Sequence, residues 1–225
     1  MGTSLLKRAV AEGIGTALLL AAVVGSGIMA ERLAGGNIAL ALLANAIATG
    51  GALVALILTF GPISGAHFNP VVTLALAQNP ALNRRVVAAY ILAQFVGAAF
   101  GVLLAHAMFG LPIFEVSTHT RASAGEWIGE FVATFGLIGI VLSCRRHAPS
   151  AIPYAVAAYI VAAYWFTAST SFANPAVAVA RAFTNTFAGI RPSDLGGFIV
   201  AELLGATVAS VAFRWLLSEQ PETRP

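Results

Sequence analysis

Long apolar runs set the pattern of this chain, at about Ala9 to Ala30, Ile38 to Phe60, Val86 to Phe109, Glu126 to Ser143, Ile152 to Ala168 and Asp194 to Leu217. A helix that crosses a bilayer needs roughly 20 mostly apolar residues, so the pattern predicts six membrane-spanning helices. Lys7 and Arg8 precede the first run as they would a cleaved leader. That run is long, carries Glu12 near its start and resembles later segments, which predicts that it is retained as a span.

Two apolar remnants, Pro70 to Gln78 and Pro175 to Phe183, are too short to cross. Each opens on an Asn-Pro step, in "SGAHFNPVVTLALA" and in "SFANPAVAVAR", and the two steps lie 105 residues apart. Asparagine is a preferred N-cap, and proline at the first helical position gives up only an N–H that has no helical partner there. The steps therefore predict helix starts. Two half-helices of about 13 Å placed end to end would cover about 27 Å, close to the hydrocarbon thickness. Helix N-termini carry partial positive charge and free N–H groups, so two facing each other at mid-membrane would repel cations and offer hydrogen bonds to neutral oxygens. A single Asn-Pro more often just turns a chain. Two in symmetric, uncharged surroundings favour the half-helix reading, because broken backbone at that depth survives only when buried in protein or lining a water-filled cavity.

Internal repeats fix the architecture. "AEGIGTALLL" (Ala11 to Leu20) matches "GEFVATFGLI" (Gly129 to Ile138), setting Glu12 opposite Glu130, and "AQFVGAAFG" (Ala93 to Gly101) matches "AELLGATVA" (Ala201 to Ala209). Each copy holds three spans and one short piece, an odd number of crossings, so the second copy must enter the membrane inverted. The expected fold is an all-α membrane protein in one channel domain: repeat 1 at about 1–110, repeat 2 at about 120–218, and a short tail at 219–225.

Composition and charge narrow the function. The 225 residues are 59% hydrophobic and 9% charged, too apolar for a soluble domain. The net charge of +3 gathers into no basic cluster with interleaved aromatics, so no nucleic-acid partner is expected and membrane lipids are. With both termini cytoplasmic, eight of the twelve basic residues (Lys7, Arg8, Arg84, Arg85, Arg145, Arg146, Arg214, Arg224) fall inside, as the positive-inside rule requires. Cys144 is the lone cysteine and the four histidines are scattered, so no metal site is expected. Cys144 stands beside Arg145, Arg146 and His147, yet nothing supplies an orienting third group or an oxyanion site, which argues against an enzyme. An active secondary transporter is the main alternative, since inverted repeats with broken helices occur there too.

"SGAHFNPVVTLAL", the "NPA" at Asn174 to Ala176 and the paired glutamate-bearing starts of spans one and four resemble the aquaporin, or major intrinsic protein, family over nearly the whole chain. The resemblance implies six helices and two re-entrant half-helices, a pore in each protomer of a homotetramer, and passive conduction of small neutral solutes with no cofactor. It implies that Asn69 and Asn174, with Pro70, Val71, Pro175 and Ala176 of the two motifs, form the pore centre. Val71 departs from the usual alanine. Intramembrane carboxylates are functional by default, but the resemblance sets Glu12 and Glu130 behind the pore as supports for the re-entrant loops, with His67 a hydrogen-bonding loop residue.

Counting from the motifs carries the family's selectivity filter onto Thr49, Ala162, Ser171 and Val177, a set without arginine, histidine or aromatic ring. Such a constriction is wide, with hydroxyls on one side and apolar surface on the other. It suits arsenous acid, urea and small methylated forms better than glycerol. "NPAVAVARAFTNTFAGI" resembles bacterial members found with arsenic-resistance genes, which implies a bacterial inner membrane. Arg181, one turn beyond Val177, either bonds a carbonyl at the half-helix end or restores positive charge in the outer vestibule.

Overall fold

The computed structural model describes residues 3–77 and 82–218. Its helices are α1 (Leu5–Leu33), α2 (Ile38–Ser64), α3 (Pro70–Leu76), α4 (Arg84–Phe109), α5 (Ala124–His147), α6 (Ile152–Phe166), α7 (Pro175–Arg181) and α8 (Leu195–Leu216). Six of these, with a 3-10 turn opening the fifth and sixth, are long and apolar enough to cross a membrane, and no strand occurs among the described residues.

Local chemistry sets the boundaries. Asn37, Asn83 and Ser123 cap α2, α4 and α5 through their side-chain oxygens, and Glu126 completes a capping box at Ser123. Gly65 and Gly110 end α2 and α4 in the left-handed conformation, which glycine adopts without steric penalty. The two half-helices are shorter than the sequence suggests. Each has seven residues, about 10 Å. α7 stops at Arg181 because Ala182 and Phe183 close a tight turn back onto Val179 and Ala180. The expected end of the first, Gln78, lies outside the described residues, as does the 219–225 tail.

The two repeats pack alike: α1 lies along α4 and α2, and α5 along α8 and α6, with α2 on α6 joining the halves. Close approach depends on small residues. A Cβ on Gly97 would stand 2.2 Å from the Gly13 carbonyl oxygen, one on Gly101 2.2 Å from that of Ala17, and one on Gly205 2.5 Å from that of Phe131. Each half-helix touches both repeats, α7 packing on α4 and α8 and α3 on α4, α8 and α5. The outward surface is apolar, with Leu6, Val211, Trp215 and Leu204 exposed, while Glu12, Glu130 and Glu202 are fully buried. That inverts the soluble arrangement and suits a bilayer.

Candidate channel

The re-entrant loops that precede α3 and α7 share one unusual backbone. Gly65, Ala66 and Phe68 have positive φ, and so do Thr170, Ser171 and Ala173, each 105 positions later. A left-handed conformation costs a non-glycine residue roughly 1–2 kcal/mol, so both loops need external support. Buried carboxylates provide it. Glu12 accepts from the Ser64 hydroxyl (2.6 Å), the His67 amide (3.0 Å), the Phe68 amide (2.7 Å) and the Gln94 side chain (2.8 Å). In the second repeat Glu130 accepts from the Phe172 and Ala173 amides at 2.8 and 2.7 Å, and Glu202 from the Asn174 amide at 2.9 Å.

Held this way, the half-helices meet head to head. Asn69 Oδ1 caps α3 at the Val71 amide, and Asn174 Oδ1 caps α7 at the amides of Ala176 and Val177. The amide nitrogens reach across: Asn69 Nδ2 donates to the Ala173 carbonyl at 2.7 Å and Asn174 Nδ2 to the Phe68 carbonyl at 2.9 Å. One N–H of each amide is spent on the opposite loop. Both asparagines also line a cavity of about 110 Å³, and the second N–H of each amide has no protein acceptor among the described residues.

Walls on one side of the asparagines include His67, Val141, Ile152 and Arg145. Thr73 donates its hydroxyl to the Asn69 carbonyl and accepts from Gln94, so His67 Nδ1, 3.1 Å away, takes the donor role toward it. The neutral ring then keeps Nε2 as an acceptor.

On the other side stand Thr49, Ile160, Tyr164, Ser171, Val177 and Arg181. Thr49 Oγ1 and the Tyr164 hydroxyl are 3.3 Å apart, and the buried Ser171 Oγ has no partner. Arg181 is 2% exposed. Its Nε donates to the Ala188 carbonyl and its guanidinium stacks 3.4 Å above the Phe172 ring. Arg121, from the 110–123 loop, lies 5.1 Å from the same ring and donates to the carbonyls of Gly189 and Ser169. Burial holds its guanidinium below the ordinary arginine value, with Glu126 and Glu130 pulling it back up.

Of the residues singled out from the sequence, Asn69, Asn174, His67, Thr49, Ser171, Val177 and Arg181 line the cavity, and Pro70, Val71, Pro175 and Ala176 are buried. Glu12 and Glu130 sit behind the loops. Ala162 is a correction: it is exposed and absent from the lining, while Ile160 and Tyr164 face inward with Val156. Positions 156, 160 and 164 repeat every four residues on one face of α6, and 162 falls on the opposite face. A count back from Asn174 crosses the irregular 167–173 segment, whose length no helical period fixes. An aromatic hydroxyl and an arginine therefore do stand in the wall. Gln94, Thr73 and Glu202 were also missed as loop supports, although the repeat that aligns Gln94 with Glu202 carried the signal.

Residues 2–149 match the family described as Major intrinsic protein. Over 229 residues, 98% of each chain, the protein is 55% identical to aquaglyceroporin AqpS of Rhizobium meliloti. It is 30% identical to aquaporin AqpM of Methanothermobacter marburgensis, covering 96% of this chain and 99% of that one. The X-ray structure of the aquaglyceroporin from Plasmodium falciparum superimposes with a TM-score of 0.71 at 18% identity, over 93% of this chain and 96% of that chain. The chain belongs to the major intrinsic protein family, integral membrane channels rather than enzymes.

Proposed function

We propose that this channel passes small neutral solutes passively, water together with larger hydroxylated molecules such as arsenous acid, glycerol and urea. The observation that carries the reading is the meeting of two half-helix N-termini at Asn69 and Asn174 in a cavity lined, among the described residues, by no carboxylate. Opposed positive helix ends form an electrostatic barrier to cations, while amide N–H groups serve neutral oxygens. Glu12, Glu130 and Glu202 all accept from loop amides, which leaves no carboxylate of the lining to bind a coupling ion and disfavours a secondary active transporter.

The filter in this reading is Thr49, Ser171 and Val177, with Tyr164 of α6 in place of Ala162 and Arg181 toward the outer vestibule; that all five line the cavity supports it. Valine where the family filter carries arginine leaves room for solutes wider than water. The relative at 55% identity is named an aquaglyceroporin, which supports the same class here. The exposed apolar helix faces support a homotetramer in a bacterial inner membrane, and the basic residues support cytoplasmic termini. Stopped-flow swelling of proteoliposomes tests the solute class. Wild type should pass water, glycerol and arsenous acid, and Val177→Arg should slow the two larger solutes more than water. Equal slowing of all three would contradict a size filter at Val177.

A further inference from the structure

The two re-entrant loops are held by different chemistry at one matched position. In the first repeat the support behind the loop is a carboxylate and an amide: Gln94 Nε2 donates to Glu12 Oε2 at 2.8 Å. In the second repeat the glutamine's place belongs to Glu202, which stands beside another carboxylate, Glu130, at the same loop. The two accept from consecutive backbone amides, Glu130 Oε2 from Ala173 and Glu202 Oε1 from Asn174, so their carboxyl groups lie side by side, and both residues are fully buried.

Every other oxygen of this pair has a donor. Glu130 takes the amides of Phe172 and Ala173 with its two oxygens, and Glu202 takes that of Asn174 with Oε1. Glu202 Oε2 is buried with no donor directed at it. Two ionised carboxylates side by side at fully buried positions repel strongly, and such pairs retain a proton. The charged groups across the loop, Arg121 on the 110–123 segment and Arg181 on α7, act on Glu130 and favour placing the single negative charge there. The Ser169 hydroxyl faces Glu130 from the loop, and on α5 Thr134 keeps its buried hydroxyl unpartnered.

We propose that Glu202 is a neutral carboxylic acid whose Oε2 proton is donated to Glu130, reproducing the Gln94-to-Glu12 hydrogen bond, and that it is a positioning residue for the Asn174 half-helix. Protonated Glu202 has the shape and donor of glutamine while its other oxygen still accepts from the Asn174 amide. The pair then carries one negative charge.

Infrared spectra of purified protein in ester-free detergent at neutral pH test this without any solute, so the outcome is independent of which molecules the channel passes. Wild type should show a carboxylic-acid C=O band that shifts in D₂O and is lost in Glu202→Gln. Absence of the band in wild type, or its survival in Glu202→Gln, would overturn the proposal. Solute flux supplies the second arm. Glu202→Gln should fold and conduct close to wild type, because its amide restores the first repeat's arrangement. Glu202→Ala should lose about tenfold, equivalent to roughly 1.4 kcal/mol in favour of a displaced loop. A Glu202→Gln protein that aggregates, or that conducts as poorly as Glu202→Ala at equal vesicle content, would show that a neutral donor is not what the site requires.

Discussion

The side-chain amide of Asn69 donates to the backbone carbonyl of Ala173, 2.7 Å away on the opposite re-entrant loop. Asn174 returns the same bond to the carbonyl of Phe68. Each asparagine therefore caps its own half-helix and fastens the loop of the other, so the two halves of the channel centre are one mechanical unit.

Truncating either asparagine should remove a cap worth about 1 kcal/mol and a cross-loop hydrogen bond worth about 1 kcal/mol. Asn69→Ala and Asn174→Ala should each lower thermal stability and flux. Combined, they should deviate from additivity by about 0.5–3 kcal/mol, as residues in one network do. A strictly additive double mutant would mean that the loops are held independently.

Gly97 tests the packing of α1 on α4. A methyl group there meets the Gly13 carbonyl oxygen at 2.2 Å, and backbone cannot step aside as a flexible side chain would. Gly97→Ala should destabilise by about 1–3 kcal/mol, read as a lower melting temperature in detergent. Gly51→Ala, where a Cβ meets nothing within 4 Å, should be neutral or slightly stabilising.

Tyr164 lines the same cavity as Val177, and its hydroxyl is paired with Thr49 at 3.3 Å. Tyr164→Phe keeps the ring and should cost only about 0.5–1.5 kcal/mol of stability, leaving the order of solute permeabilities unchanged. Tyr164→Ala should raise glycerol flux relative to water. Swelling rates for both solutes check the ratio.

Arg181 places a buried guanidinium beside the conduit, on Phe172. A unit charge about 4 Å from the path at an effective dielectric near 20 is worth about 4 kcal/mol. Arg181→Ala should therefore increase cation leak by at least about tenfold while neutral-solute flux persists, measured as current across bilayers containing purified protein. Unchanged charge selectivity at equal protein content would reduce Arg181 to a carbonyl-bonding anchor for Ala188.

Much of this was legible in the sequence because the repeat keeps its register around the two Asn-Pro steps. No insertion separates those steps from the loops before them or the half-helices after them, so loop, motif and half-helix carry over at one offset, while Glu12 and Glu130 are matched only through the likeness of their own segments. The filter was less legible. Ser171 and Val177 lie within three residues of the second motif and Thr49 on the helix before the first, whereas the contribution of α6 depends on how residues 167–173 fold between its end and Asn174. Ala162 was counted through that segment; Ile160 and Tyr164 are what the helix presents. The ends of α3 and α7 were overrun because apolar residues continue past the last helical turn, and composition does not mark where a buried helix stops.

Solute movement followed in one proteoliposome preparation, first down an imposed glycerol or arsenous acid gradient and then at equal concentrations under an imposed ion gradient, decides whether opposed half-helices make a passive conduit. Net flux should stop when concentrations equalise and should carry no ohmic current. Accumulation against the solute gradient, or rates no faster than in empty vesicles, would contradict it.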